Sequence, residues 1–498
     1  MVLENIMFGL TNVLQPFNIL MVSLGTIIGI FVGAMPGLSA TMAIALLLPL
    51  TFSMDAAAGL SMLAALYMGA MYGGSISAIL IKTPGTPAAA ATVLDGYPMA
   101  QKGQAGKALG ISLIASLCGG VISSLALLLV APLLGTLALE FGPLELLGVA
   151  VLGITIIGSL SGGSVFMGLL SGIFGLLLSQ VGIDPITGSA RFTFGNINLY
   201  SGIPFVVALI GLFSIPQAIK LVSQKEQAAT RISKFSDKML PTWKEFLFLI
   251  PTIIRSSFIG IFVGIVPGSG GDTACWFAYN ETKRFSKRKE LFGTGLPEGI
   301  AAAEAANNAV VGGALIPTIS LGIPGSSATA VLMGGLMVHG MMPGPTLMTD
   351  YADVTYTLIW AVMLANLAMF IFGLLFTRAS IVVTRVRNKV LGPIIVVLCV
   401  IGAFAINNSV FDVGLMFAFG LLGYFMDKIK MPVAPMVLGL ILGGLMSNSY
   451  YQTLMIGHGS LSVLFTSPIA MVLLAIALLS ILQSTPLFSF LKKKKKKA

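Results

Sequence analysis

The sequence predicts an all-α polytopic membrane protein made of two inverted-topology repeats, and three observations predict it. Only 9% of its 498 residues are charged and 56% are hydrophobic, whereas a soluble domain carries roughly 25% charged residues. So few charges cannot cover a water-facing surface of this size, and the solvent must be largely lipid. Apolar runs near the length that crosses a bilayer, about 20 residues, recur along the chain, as at 111–139, 205–221, 357–376 and 468–482. Finally, two Pro-Gly motifs each occur twice, in the same order.

The repeat comes first. GIFVGAMPG at 29–37 returns as GIFVGIVPG at 260–268, displaced by 231, and TPGTPA at 83–88 returns as IPGSSA at 323–328, displaced by 240. Near-equal offsets describe one duplicated unit: a first repeat over 1–219, a polar linker over 220–245, a second repeat over 246–485 and a lysine-rich tail over 486–498. Loop charge gives the orientation. The loop 51–57 has one acid and no base, while its counterpart 281–290, ETKRFSKRKE, is strongly basic. After the second break the pattern reverses, with Lys102 and Lys107 in the first half and a base-free stretch over 339–348 in the second. Basic loops stay cytoplasmic, so matched loops lie on opposite faces, the inverted arrangement of many secondary transporters. The linker, the 281–290 loop and the C-terminus are expected inside, and 184–200 outside. With the linker and 281–290 on one face, the Pro267 break must lie at the tip of a hairpin or re-entrant segment. By symmetry Pro36 does the same. Pro84 and Pro324 then fall in discontinuous spanning helices.

The net charge of +10 is absorbed by these cytoplasmic loops, and no nucleic-acid partner is expected. Cys118, Cys275 and Cys399 are far apart, with no metal or redox spacing. The first ten residues carry no basic n-region, so a cleaved signal peptide is not expected.

The chemistry concentrates at the breaks. Pro-Gly inside an apolar run ends or kinks a helix, and the freed backbone groups survive at membrane depth only where they are buried or line a cavity. Hydroxyls and freed amides at the start of the next half-helix suit an anion. The expected substrate-binding set is therefore Ser39, Thr41, Lys82, Thr83, Pro84, Gly85, Thr86, Ser269, Gly270, Pro324, Gly325, Ser326 and Ser327. Lys82 can pair with a carboxylate, or serve as a snorkelling or structural lysine. Glu304, Asn307 and Asn308 sit at i, i+3 and i+4, on one helix face, where the first repeat has Ala64, Tyr67 and Met68. An acid in an Ala/Gly-rich membrane helix marks function by default. Glu304, Asn307, Asn308 and Asp272 are the expected ion-coupling residues, for Na+ or H+. Glu298 is a weaker candidate, Arg255 an anchor of the hairpin, and His339 and His458 fall in outer loops.

Three segments carry a family resemblance: GIFVGAMPGLSATMAIALLLPLTF, YGGSISAILIKTPGTPAAAATVLDGYPMA and LPEGIAAAEAANNAVVGGALIPTISLGIPGSSATAVLMGGL. Together they resemble the large permease subunit of bacterial tripartite tricarboxylate transporters, over most of the chain. The resemblance implies a multi-pass protein of the bacterial inner membrane, partnered by a small four-helix membrane subunit and a periplasmic substrate-binding protein. It implies secondary, ion-coupled uptake of tricarboxylates or other carboxylates, with no organic cofactor and no enzymatic activity. Lys82 departs from the neutral residue often found before the break in related chains. A stand-alone anion carrier or a channel, working without a binding protein, is the alternative. A membrane enzyme fits poorly, because no nucleophile–base pair or metal cluster is visible.

Overall fold

The structure, a computed structural model, describes residues 2–160, 164–184, 186–223, 238–383 and 388–484. Most of the expected linker and all of the expected tail, 486–498, lie outside the described residues. The first half runs through α1 (Val2–Val13), α2 (Pro16–Ala34), α3 (Ala40–Leu47), α4 (Ala56–Ile81), α5 (Thr92–Gln101), α6 (Ala105–Ala138), α7 (Pro143–Leu160), α8 (Val165–Ser179), α9 (Phe205–Leu209) and α10 (Ile215–Ser223). The second runs through α11 (Trp243–Ile265), α12 (Gly270–Phe285), α13 (Pro297–Leu321), α14 (Ser327–Val338), α15 (Ala352–Val383), α16 (Asn388–Asn407), α17 (Val410–Lys428), α18 (Val433–Ile456) and α19 (Pro468–Ser484). Among the described residues, ten helical segments are long and apolar enough to cross a membrane. The protein is an all-α polytopic membrane protein, and among the described residues its strands are one short antiparallel pair, Gly182–Ile183 with Ala190–Arg191.

The chain forms two compact units, each drawing on both halves: Met1–Gly135 with Gln217–Gly402, and Thr136–Pro216 with Ala403–Ala498. In the second unit α8 and α18 meet through small residues, Gly175 against the Met436 carbonyl and Gly439 against that of Gly172. Its strand pair is held by Arg191, which donates to Asp184 Oδ2 at 2.6 Å and to the Tyr451 hydroxyl at 2.6 Å.

The first unit contains all four Pro-Gly breaks. There α2 and α4 pack through Gly25, Gly29 and Gly33, which face Met62, Leu66 and Ala70 in turn. The partner numbers rise together, so the two helices run parallel, and α3 must carry the chain back between them. In the second half Gly260 faces Ala306 and Gly264 faces Val310 and Ala314. Thus α11 and α13 are also parallel, with α12 as the return. Parallel helices this close need small residues, because no side chain fits between the backbones.

One expectation needs correcting in its placement. The breaks at Pro84 and Pro324 do not interrupt spanning helices but end them: α4 and α13 contain 26 and 25 residues, about 39 and 38 Å at 1.5 Å per residue. Both end on a left-handed residue, Lys82 at φ 60° and Gly322 at φ 69°, at equivalent positions. That conformation turns the chain back on the helix it has just left. The following proline then prevents the helix from resuming.

Candidate functional site

After the turn, each chain folds back along its own helix by the same amount. Gly85 N–H donates to the Gly74 carbonyl at 3.1 Å, seven residues before the end of α4, or roughly 10 Å back. Gly325 lies against Ala314, again seven residues before the helix end, and its N–H donates to Thr318 Oγ1 at 3.4 Å. Only glycine fits at either place. A β-carbon on Gly85 would lie 1.9 Å from the Gly33 carbonyl oxygen, and one on Gly325 would lie 2.3 Å from that of Gly264. The hairpin break joins the second cluster directly, since Gly268 N–H donates to the Gly325 carbonyl at 3.0 Å.

The hydroxyls expected to greet an anion are not equally available. Ser326 caps α14 through a capping box with Thr329, its Oγ accepting from Thr329 N–H at 3.2 Å. Ser326 Oγ also meets the Tyr67 hydroxyl of α4 at 3.1 Å, which ties the second-half break to the first-half helix. Ser327, the first residue of α14, is half-buried. Ser39 caps α3, accepting from Met42 N–H at 3.2 Å, with Thr41 half-buried beside it. Ser269 is spent on the preceding turn, donating to the Val263 and Val266 carbonyls, and it makes no side-chain cap for α12. Gly270 follows in a left-handed conformation, φ 58°. Thr83 only reaches the Ile81 carbonyl, at 3.4 Å. Thr86 differs from all of these. It is 2% exposed, and Oγ1 has no hydrogen-bond partner among the described residues. No α-helix starts there, because Pro87–Ala89 forms a single 3-10 turn and α5 begins only at Thr92. The expected half-helix N-terminus beside a hydroxyl exists after Pro324 but not after Pro84.

The polar face of α13 is fully buried. Thr92 Oγ1 donates to Glu304 Oε1, and Ser116 Oγ donates to Oε2 at 3.4 Å. No basic side chain pairs with Glu304 among the described residues. Asn308 Nδ2 donates to Ser116 Oγ at 2.7 Å, and Asn307 Nδ2 donates to the Met71 carbonyl at 3.1 Å. The Oδ1 atoms of both asparagines are buried without a donor among the described residues. A β-carbon on Gly271 would lie 3.0 Å from Asn307 Oδ1 and from Ala88 Cβ, which brings the second hairpin, the α13 face and the Thr86–Ala88 turn to one place. Asp272 is exposed at the start of α12, outside the Glu304 network. Lys82 is exposed too, with Nζ 5.7 Å from the centre of the Tyr97 ring. Glu298 instead pairs with Arg288 Nη2 at 2.5 Å.

Tyr67, Thr92, Ser116 and Asp95 were not among the expected site residues. Asp95 is fully buried; Oδ1 accepts from the N–H groups of Gly293, Gly295 and Leu296 at 2.9, 2.9 and 2.8 Å, and Oδ2 from Tyr279 at 2.8 Å. One carboxylate thus shapes the entry to α13, at the positive end of its dipole. The test applied to Glu304, an acid within an apolar stretch, would have found it in LDGYP. Tyr67 and the two hydroxyl residues carried no such signal.

Comparison with known proteins agrees with this architecture. The model of the tripartite tricarboxylate transporter TctA family matches residues 19–438. An uncharacterised 52.8 kDa protein from the TAR-I ttuC' 3' region of Agrobacterium vitis is 35% identical over 476 residues, 96% of this chain and 95% of that protein. A second protein of that organism, from the TAR-II ttuC' 3' region, is 32% identical over 223 residues, 45% of this chain and 92% of that protein. With the match spanning both pairs of Pro-Gly breaks and the Glu304 face, the chain belongs to the tripartite tricarboxylate transporter TctA family and is a component of a tricarboxylate-type transport system.

Proposed function

We propose that this chain is the substrate-translocating subunit of an ion-coupled uptake system for tricarboxylates or related carboxylates in the bacterial inner membrane. It works with a small four-helix membrane subunit and a periplasmic binding protein. The observation that carries the proposal is an inequality between equivalent positions. Tyr67 of α4 pairs with Ser326. Their counterparts 240 residues away, Asn307 and Thr86, each keep a buried polar atom without a partner among the described residues. An unsatisfied buried polar group costs about 1–3 kcal/mol, and a ligand that satisfies it recovers that cost. A lone hydroxyl donor suits a carboxylate, and a lone amide oxygen suits a cation.

Glu304 supplies the coupling. A buried carboxylate without a basic partner is expensive unless it takes a proton or a metal cation, and either ion links occupancy to a transmembrane gradient. Asn307 and Asn308 Oδ1 lie on the same helix face. The duplicated parallel helix pairs, with return segments between them, support alternating access about the paired breaks. Loop charge supports a cytoplasmic 281–290 loop and C-terminus.

The test is reconstitution of the chain and its two partners in proteoliposomes, with a panel of labelled carboxylates and imposed H+ or Na+ gradients. Concentrative uptake that needs both the binding protein and one gradient, together with counterflow of unlabelled substrate, is the expected result. Uptake without the binding protein would identify a stand-alone carrier, and downhill flux without counterflow would identify a channel.

A further inference from the structure

Away from the breaks, the first compact unit holds a cavity of about 860 Å³ between α11, the C-terminal end of α12 and the start of α6. Its charges do not balance. Lys107, Arg255, Lys287 and Arg288 line it, against only Glu245 and Glu298. Lys107 pairs with Glu245 and Arg288 with Glu298. Arg255 and Lys287 have no carboxylate partner among the described residues. Arg255 Nη2 donates to Thr282 Oγ1 at 3.2 Å, its guanidinium lies 5.3 Å from the centre of the Phe285 ring, and its Nε is buried without an acceptor. This cation lines the cavity, and no anion pairs with it among the described residues.

The rest of the wall is apolar, with Phe248, Pro251 and Phe285 prominent. From Arg255 the apolar surface continues along α11 through Phe258 and Phe262, 55% and 71% exposed. These lie three and seven residues on, so they share the face of Arg255. On α12, Phe277 is also exposed. A soluble tricarboxylate would gain nothing from such apolar walls. A phosphodiester carries one charge, and its acyl chains match the aromatic stripe.

We infer that this cavity binds the phosphate of an anionic phospholipid, with Arg255 as the main contact, Lys287 as a second, and the acyl chains lying along Phe258 and Phe262. Guanidinium and phosphate match in planar, forked geometry. The inference is independent of the transport proposal, because none of these residues belongs to the breaks or to the Glu304 face.

Native mass spectrometry of the purified full-length chain tests it, with phosphatidylglycerol, phosphatidylcholine, glycerol phosphate or citrate added. Wild type should retain phosphatidylglycerol and not phosphatidylcholine. Arg255→Gln should weaken retention by roughly tenfold or more, Arg255→Lys should keep most of it, and Lys287→Gln on the exposed loop should cost less than Arg255→Gln. A melting curve shows whether each variant is folded. If Arg255→Gln fails to fold, reduced retention in Lys287→Gln and retained binding in Arg255→Lys support the site. Unchanged retention in a folded Arg255→Gln overturns it, as does unchanged retention in Lys287→Gln where Arg255→Gln does not fold. Equal binding of phosphatidylcholine also overturns it. So does displacement by glycerol phosphate alone, which would mean a soluble-anion site, or by citrate, which would mean a part of the substrate route.

Discussion

The two halves of the chain build the same skeleton and put different chemistry on it. In each, a parallel helix pair is sealed by glycines, a left-handed residue ends the long helix, and the chain folds back seven residues to seat a glycine against a carbonyl. Yet α4 carries Ala64, Tyr67 and Met68 where α13 carries Glu304, Asn307 and Asn308. Ser326 Oγ is bonded on two sides, while the hydroxyl of its counterpart Thr86 has no partner among the described residues. Backbone geometry must repeat for the fold to close, whereas one bound ion and one substrate need only one copy of each contact. On the proposed function, the asymmetric residues carry the chemistry and the symmetric ones the scaffold.

Glu304→Gln should show the largest effect, since nothing in the first half can replace its charge. Gradient-driven accumulation should fall by roughly tenfold or more, while substrate binding measured by calorimetry stays close to wild type. Equal accumulation across pH and sodium concentrations would remove Glu304 from the mechanism and leave the two halves functionally alike.

The scaffold half of the contrast is tested at Gly85 and Gly325. Alanine at either position overpacks a backbone contact, which costs about 1–3 kcal/mol or more. Both variants should lower the melting temperature by similar amounts. A fully stable Gly85→Ala beside a damaged Gly325→Ala would show that the two turns are not equivalent.

Thr86→Ala and Ser326→Ala should separate affinity from stability. The Thr86 hydroxyl makes no bond to lose among the described residues, so its removal should leave stability unchanged and weaken substrate binding by roughly 10- to 100-fold. Ser326→Ala removes a helix cap worth about 1 kcal/mol and should be read mainly in the melting curve. The same loss of affinity with the same loss of stability in both would erase the distinction.

The smallest effect is expected at a control site outside both pairs of breaks. The Thr187 hydroxyl, then the Ile186 N–H and Arg191, hold the Asp184 carboxyl below the usual carboxylate range. A depressed value means this contribution is present above the unfolded value, near 3.9, and is lost only as pH falls through the lower folded value. Asp184→Asn should make the loop more easily cleaved by protease at neutral pH, with transport unchanged. A transport defect would extend the functional residues beyond the first unit.

Much of this was legible in the sequence because it depends on local chemistry. Low charge and recurring apolar runs dictate a lipid solvent. Pro-Gly dictates where helices stop, and i, i+3, i+4 spacing puts Glu304, Asn307 and Asn308 on one face. The left-handed turn at Lys82 was not legible, since lysine does not advertise that conformation as Gly322 does. For the same reason the breaks at Pro84 and Pro324 read as interruptions of helices that in fact end there. What only the tertiary structure decided is which polar atoms find partners. Tyr67 reaches Ser326 across 259 residues, Thr92 reaches Glu304 across 212, and Asp95 reaches Leu296 across 201. Such contacts follow from how whole helices pack against one another, so no local pattern around Thr86 could show that its hydroxyl would be left without one.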